Sequence, residues 1–78
     1  MPTVLREKGY RFFFFSNESQ EPPHIHVQQA ERYAKFWLDP VRLAMNVDFR
    51  RNEITRLGKI VRNNERFLHQ AWYEHFGK

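Results

Sequence analysis

Tyr10 to Phe15, with the sequence Tyr-Arg-Phe-Phe-Phe-Phe, is the segment that most limits what this chain can fold into. Five of its six residues are aromatic, and Gly9 and Ser16-Asn17 bound it as turns bound a strand. Alternation sends Tyr10, Phe12 and Phe14 to one face and Arg11, Phe13 and Phe15 to the other. Both faces are then apolar, and a strand this aromatic left open to water is an aggregation hazard. It must therefore be central in a sheet, or lie under a helix on one face and a partner on the other.

The neighbouring segments supply that sheet. Val4 and Leu5 begin an earlier strand, stopped by the turn Glu7-Lys8-Gly9. Ser16 to Pro23 is a polar loop whose two prolines force extended backbone just ahead of the next strand. His24 to Val27 is that strand, with both imidazoles on one face and Ile25 and Val27 on the other. Gln28 to Glu31 is a tight connection without an Asn-Gly or Asp-Gly signal. Tyr33 to Leu38 reads as the last strand, ended by Asp39-Pro40. Short strands with short connections imply an antiparallel sheet.

The period then changes. Arg42 to Met45 reads as a short turn of helix, Asn46 to Asp48 as a break, and Arg51 to Phe76 as one long helix. At 100° per residue, Ile54, Leu57, Ile60, Val61, Phe67, Leu68, Ala71 and Trp72 form one apolar stripe. Asn64 falls inside that stripe and marks a kink or break, and Gly77 stands where a C-terminal cap belongs. The expectation is a single α+β domain over residues 1–78. Its small antiparallel sheet of three to four strands, within residues 3–38, packs against a long C-terminal amphipathic helix in a helical region 41–76.

Size and charge exclude several classes. At 78 residues the chain is one domain that buries only about 60–65% of its unfolded surface. With no cysteine it has neither a disulfide framework nor a thiolate zinc site. No apolar run approaches the roughly 20 residues needed to span a bilayer, and no signal-peptide pattern opens the chain, so a cytoplasmic protein without membrane attachment is expected. Residues 1–40 carry five basic and five acidic residues, whereas residues 41–78 carry eight basic and four acidic. The whole excess of +4 lies in the second half, a hint of an acidic partner that is also ordinary for solubility.

Three constellations could carry chemistry. His24 and His26, at i and i+2 on a strand, place their Cβ atoms roughly 7 Å apart on one face. They suit acid and base on a phosphodiester, two ligands of a metal, or a structural role bonding nearby backbone, and the structural role is the plainest. A metal would need a third ligand, and no spacing selects among Glu21, Asp39 and His75; no metal and no cofactor is implied. Lys59, Arg62 and Arg66, flanked by Arg51, Arg56 and His69, form a basic helix face that could follow a phosphate backbone or simply be solvated. The aromatic strand could stack bases, but only Arg11 is interleaved with its rings, so core plus a dimer face fits better. Gly-rich phosphate loops, GxSxG and HExxH are absent, and Ser16 and Ser19 have no local support as nucleophiles.

Met1-Pro2-Thr3, Gly9 to Phe14, Pro22 to Val27, Ala34 to Leu38 and Leu68 to Trp72 together resemble the small bacterial proteins grouped as domain of unknown function 4160. The resemblance runs over essentially the whole chain, and Pro-Pro-His-Ile-His-Val is its most specific element. It implies no established activity. It does imply membership of two-gene toxin–antitoxin-like modules, beside a second small protein that can carry a DNA-binding domain. In the family pattern glycine precedes the phenylalanine matching Phe49 and a small capping residue follows it. This chain has Asp48 and Arg50 there, leaving Asp48 or Asn52 to cap the helix.

The first functional expectation is a toxin-like component acting on RNA or translation and held by a small antitoxin-like protein. His24 and His26 would then be acid/base or phosphate ligands, with Arg11, Arg32 and Lys35 as electrostatic clamps. The alternative is a non-enzymatic dimerisation or protein-binding module, motivated by more aromatic surface than so short a chain buries alone. A DNA-binding regulator ranks last, because no helix-turn-helix can be drawn.

Overall fold

The computed structural model describes residues 3–15 and 20–77. The strands β1 (Thr3–Glu7), β2 (Tyr10–Phe13), β3 (His24–Gln29), β4 (Arg32–Leu38) and β5 (Val41–Val47) form one antiparallel sheet in sequence order. The helices α1 (Arg51–Asn63) and α2 (Glu65–Phe76) follow. The α+β class and the meander agree with expectation; the strand number and the single long helix do not. Of the expected polar loop, Ser16 to Ser19 lie outside the described residues, as do Met1 and Pro2.

Three two-residue turns build the meander. Glu7 pairs with Tyr10 across Lys8-Gly9, whose φ angles of 54° and 85° give the left-handed backbone that matches strand twist. Gln29 pairs with Arg32 across Ala30-Glu31, with Ala30 at φ 54°. An alanine in the left-handed region carries no sequence signal, so this tight connection forms without an Asn-Gly or Asp-Gly pair. Leu38 pairs with Val41 across Asp39-Pro40.

That third hairpin corrects the expectation that Tyr33 to Leu38 is the last strand and that the helical region begins at 41. Leu, Ala and Met favour helix, but Val41, Leu43, Met45 and Val47 alternate with period two, and pairing with β4 overrides the local preference. Lys35 opposes Met45 while Phe36 opposes Leu43, so Ala44 is the extra residue of a β-bulge. The bulge turns Val41 and Leu43 toward the helices and Met45 and Val47 to the opposite face.

Asp48 closes β5 at φ 71°, where glycine is the cheaper residue, and Asn46 ties the turn by bonding both the N–H and the carbonyl of Phe49. Neither Asp48 nor Asn52 caps α1. Arg50 is the N-cap residue, and the Glu53 carboxylate accepts its backbone N–H at 3.2 Å, the returning half of a capping box. The break comes at Asn64, whose side-chain amide donates to the Ile60 carbonyl at 2.8 Å and competes with the helical ladder. Beyond it α2 is rotated enough that Phe67, inside the single-helix stripe, is half exposed. Gly77, at φ 75°, ends α2 by donating to the Tyr73 carbonyl.

The core lies between one sheet face and the helices. Phe12, Ile25, Val27, Ala34, Phe36 and Leu38 meet Leu57, Ile60, Val61, Leu68 and Trp72 there. Tyr10 packs edge-on against Phe49 at 5.9 Å, and Phe14 against Trp72 at 5.4 Å. Each such large side chain contributes about 1.5–3 kcal/mol by leaving water. The alternation of Tyr10 to Phe15 holds, although the paired strand stops at Phe13. No helix among the described residues is long and apolar enough to cross a membrane.

Candidate functional site

The face of the sheet away from the core carries the histidine pair. His24 and His26 project together, their ring centroids 5.0 Å apart, and both are buried, with 0% and 2% of their surface exposed. Aromatic rings surround them. Phe13 stacks on His26 at 5.4 Å, Phe15 meets it at 4.5 Å and Tyr33 at 5.6 Å. His24 lies 4.9 Å from Trp72 and 5.7 Å from Trp37. The His24 Nδ1–H donates to the Pro22 carbonyl at 2.8 Å, and His26 Nδ1 shares a 2.6 Å hydrogen bond with the Tyr33 hydroxyl. Pro22 and Pro23 fix the approach to β3, and Leu38 N–H bonds the Pro23 carbonyl at 3.0 Å. These contacts tie Phe15 and Pro22 to the enclosed imidazoles.

The three possible third ligands lie elsewhere: Glu21 pairs with Lys35, Asp39 is in an exposed turn, and His75 rests on Phe14 and Phe76. Among the described residues no three His, Asp or Glu side chains gather as metal ligands do.

The cations expected to act as clamps are engaged within the protein. Arg11 bonds Thr3 Oγ1 at 3.0 Å and lies 4.4 Å over the Phe13 ring. Lys35 pairs with Glu21 at 2.6 Å and lies 4.7 Å from the Trp37 ring. Arg32 reaches across to α1 and bonds both Glu53 oxygens, at 3.1 and 3.0 Å. Lys59, Arg62 and Arg66 are exposed on the helices with Arg51 and Arg56, whereas His69 leaves that group to donate from Nε2 to the Leu38 carbonyl at 3.0 Å.

Glu53 serves two ends at once, as helix cap and as ion partner. The Arg50 backbone N–H, then the Arg32 guanidinium, hold its carboxyl below the ordinary glutamate range against the opposing effect of burial. A depressed folded value means stability that is present above about pH 4.3 and lost as pH falls through the folded value. Glu53→Gln should therefore flatten the loss of thermal midpoint between about pH 5 and pH 3. Identical acid profiles for the two proteins would remove Glu53 from this role.

The second candidate surface is β5, an edge of the sheet. Leu43, Met45 and Val47 are 44%, 50% and 45% exposed, and seven residues of backbone run along the open side. The other edge, β1, is shorter and carries Arg6 and Glu7. Between β5 and α1 runs a groove of about 270 Å³, floored by Phe36, Leu43, Ile54 and Gly58 and rimmed by Lys59 and Arg62.

The model of the family described as domain of unknown function (DUF4160) matches residues 9–73. The chain belongs to this family. No curated protein and no solved structure matches it. The matched span contains the histidine pair, its aromatic surround and the whole of β5, so both candidate surfaces lie within the part shared with the family.

The strand alternation placed His24 and His26 together, yet it said nothing of Phe15, Tyr33 and Trp72, which close around them from three separate segments. The Arg32–Glu53 pair spans 21 residues of sequence and had no local signal. The β5 edge did have one, the alternation from Val41 to Val47, outweighed by helix-forming residue types.

Proposed function

We propose that this protein is a binding module that holds a small partner protein by its β5 edge, in keeping with the antitoxin-like partner implied by the family resemblance. The observation that carries this reading is the open edge strand with Leu43, Met45 and Val47 in water. Soluble proteins blunt long edges with charge or cover them, and Arg42 is the single charge on this one. An extended segment added alongside β5 would gain main-chain hydrogen bonds from the edge and side-chain burial from the three apolar residues. The histidine pair supports the frame from which that edge projects, so it belongs to the fold and not to chemistry on a substrate. A second reading, RNA contact along Lys59, Arg62 and Arg66, is favoured by their exposed charge but makes no use of the apolar edge.

The test is co-expression with the second small protein of the two-gene module. A complex with protected β5 amides in hydrogen exchange is expected, and the protein alone should be a monomer by light scattering. The double substitution Met45→Lys, Val47→Lys lies on exposed positions, so stability should change by no more than about 0.5 kcal/mol per site. Affinity for the partner should fall at least about ten-fold. An unchanged complex, or none with the parent protein, would overturn the reading.

A further inference from the structure

We infer that the β5 edge beside α1 selects an acidic extended segment of the partner, with carboxylates on Lys59 and Arg62 on the helix face and apolar side chains over Met45 and Val47 on the other. This rests on the proposal that β5 is the docking edge and adds the chemistry of what docks.

Two observations support it. The first is charge. Arg42, Lys59 and Arg62 line the groove together with apolar and small residues, and no acidic side chain lines it. Successive residues of a strand point to opposite faces, so one that alternates acidic and apolar residues alongside β5 turns its carboxylates to this groove and its apolar side chains to Met45 and Val47. A second copy of this chain fits it poorly, because pairing β5 with β5 would bring two α1 helices, each with Lys59 and Arg62, toward one another. RNA would use the rim and leave the floor and the strand edge empty.

The second observation is Gly58. It stands in the middle of α1, where glycine is the poorest helix former after proline, and its backbone does not require the freedom glycine offers. Packing does not require it either. A β-carbon there would lie 3.5 Å from Arg62 Nη1 and 3.9 Å from Phe36 Cε2, ordinary contacts with a flexible tip and a ring edge. What glycine does provide is room for the Arg62 guanidinium, whose Nη1 lies against that position at the groove. The helix thus gives up propensity at a position where a larger side chain would displace one of the groove's cations.

Three fluorescein-labelled nine-residue peptides test the idea by anisotropy. One alternates Val with Glu, one Val with Thr and one Val with Lys; a single-stranded RNA nonamer is the fourth probe. The acidic peptide should bind the parent protein at least ten-fold tighter than the threonine peptide, with a preference that shrinks as salt rises. Lys59→Glu with Arg62→Glu should abolish or invert that preference. Gly58→Ala should raise the thermal midpoint by about 2–8 °C, whereas Gly58→Leu, which displaces the Arg62 guanidinium, should weaken the acidic peptide and leave the threonine peptide unchanged. Should Gly58→Leu not fold, the charge reversal and the peptide series decide alone.

Equal binding of the acidic and threonine peptides would overturn the acidic chemistry while leaving the edge reading intact. Tighter binding of the RNA than of the acidic peptide would overturn it in favour of a phosphate-binding face. No binding by any peptide would also overturn it, and the partner complex and its β5 variant then judge the edge separately.

Discussion

Truncating Trp72 to alanine is expected to cost about 3–5 kcal/mol, the range for removing a buried tryptophan. A domain of this length has roughly 4–12 kcal/mol in total, so the variant should sit near the limit of folding. The reason is position as much as size. Trp72 lies 4.2 Å from Phe76, 5.4 Å from Phe14 and 4.9 Å from His24, so one ring joins α2, the exit of β2 and the start of β3. These three neighbours are rigid rings that cannot reach far into the space. A thermal melt followed by circular dichroism should show the midpoint lowered by at least about 12 °C. A loss under about 1 kcal/mol would show that α2 is not anchored there.

The second large effect is expected from His24→Ala combined with His26→Ala. Both imidazoles are fully enclosed, each holds a hydrogen bond, and their rings touch, so their contributions are coupled and not additive. The pair should cost on the order of 3–5 kcal/mol through lost packing and an abandoned Pro22 carbonyl and Tyr33 hydroxyl. The discriminating comparison is Tyr33→Phe, which removes one hydrogen bond and leaves His26 in place. It should cost roughly 1–2 kcal/mol and leave partner affinity unchanged once folding is corrected for. A double histidine variant as stable as the parent, yet inactive in a growth-arrest assay, would return these residues to a chemical role.

These expectations alter the weight of the sequence features. The His24–His26 pair was the most pointed chemical motif in the chain, and its shared face follows from strand alternation alone. Its burial does not follow from alternation. It depends on Phe15 and Pro22 meeting the imidazoles, and on Trp72 arriving from a helix almost fifty residues later. The cations divide in a similar way. Arg32 and Lys35 read as clamps because their carboxylate partners, Glu53 and Glu21, are distant in sequence; the fold neutralises both. Lys59 and Arg62 keep their charge in water because α1 places them beyond the core, at the rim of the β5 groove.

By itself the sequence determined the class, the antiparallel meander, the faces of β2, β3 and β4, and the family. Each of these rests on local periodicity: two-residue alternation for strands, a 3.6-residue stripe for the helices, and motifs read within one segment. The aromatic run Tyr10 to Phe15 demanded cover on both faces, and the sequence could state that demand without naming what meets it. Only the tertiary structure decided that the helices cover one face and that Phe13, Phe15 and Tyr33 enclose the histidines on the other. It also made Val41–Val47 a fifth strand, because pairing with β4 outweighed the helix preference of Leu, Ala and Met. That pairing left an apolar edge in water, since the last strand of a meander has a neighbour on one side alone.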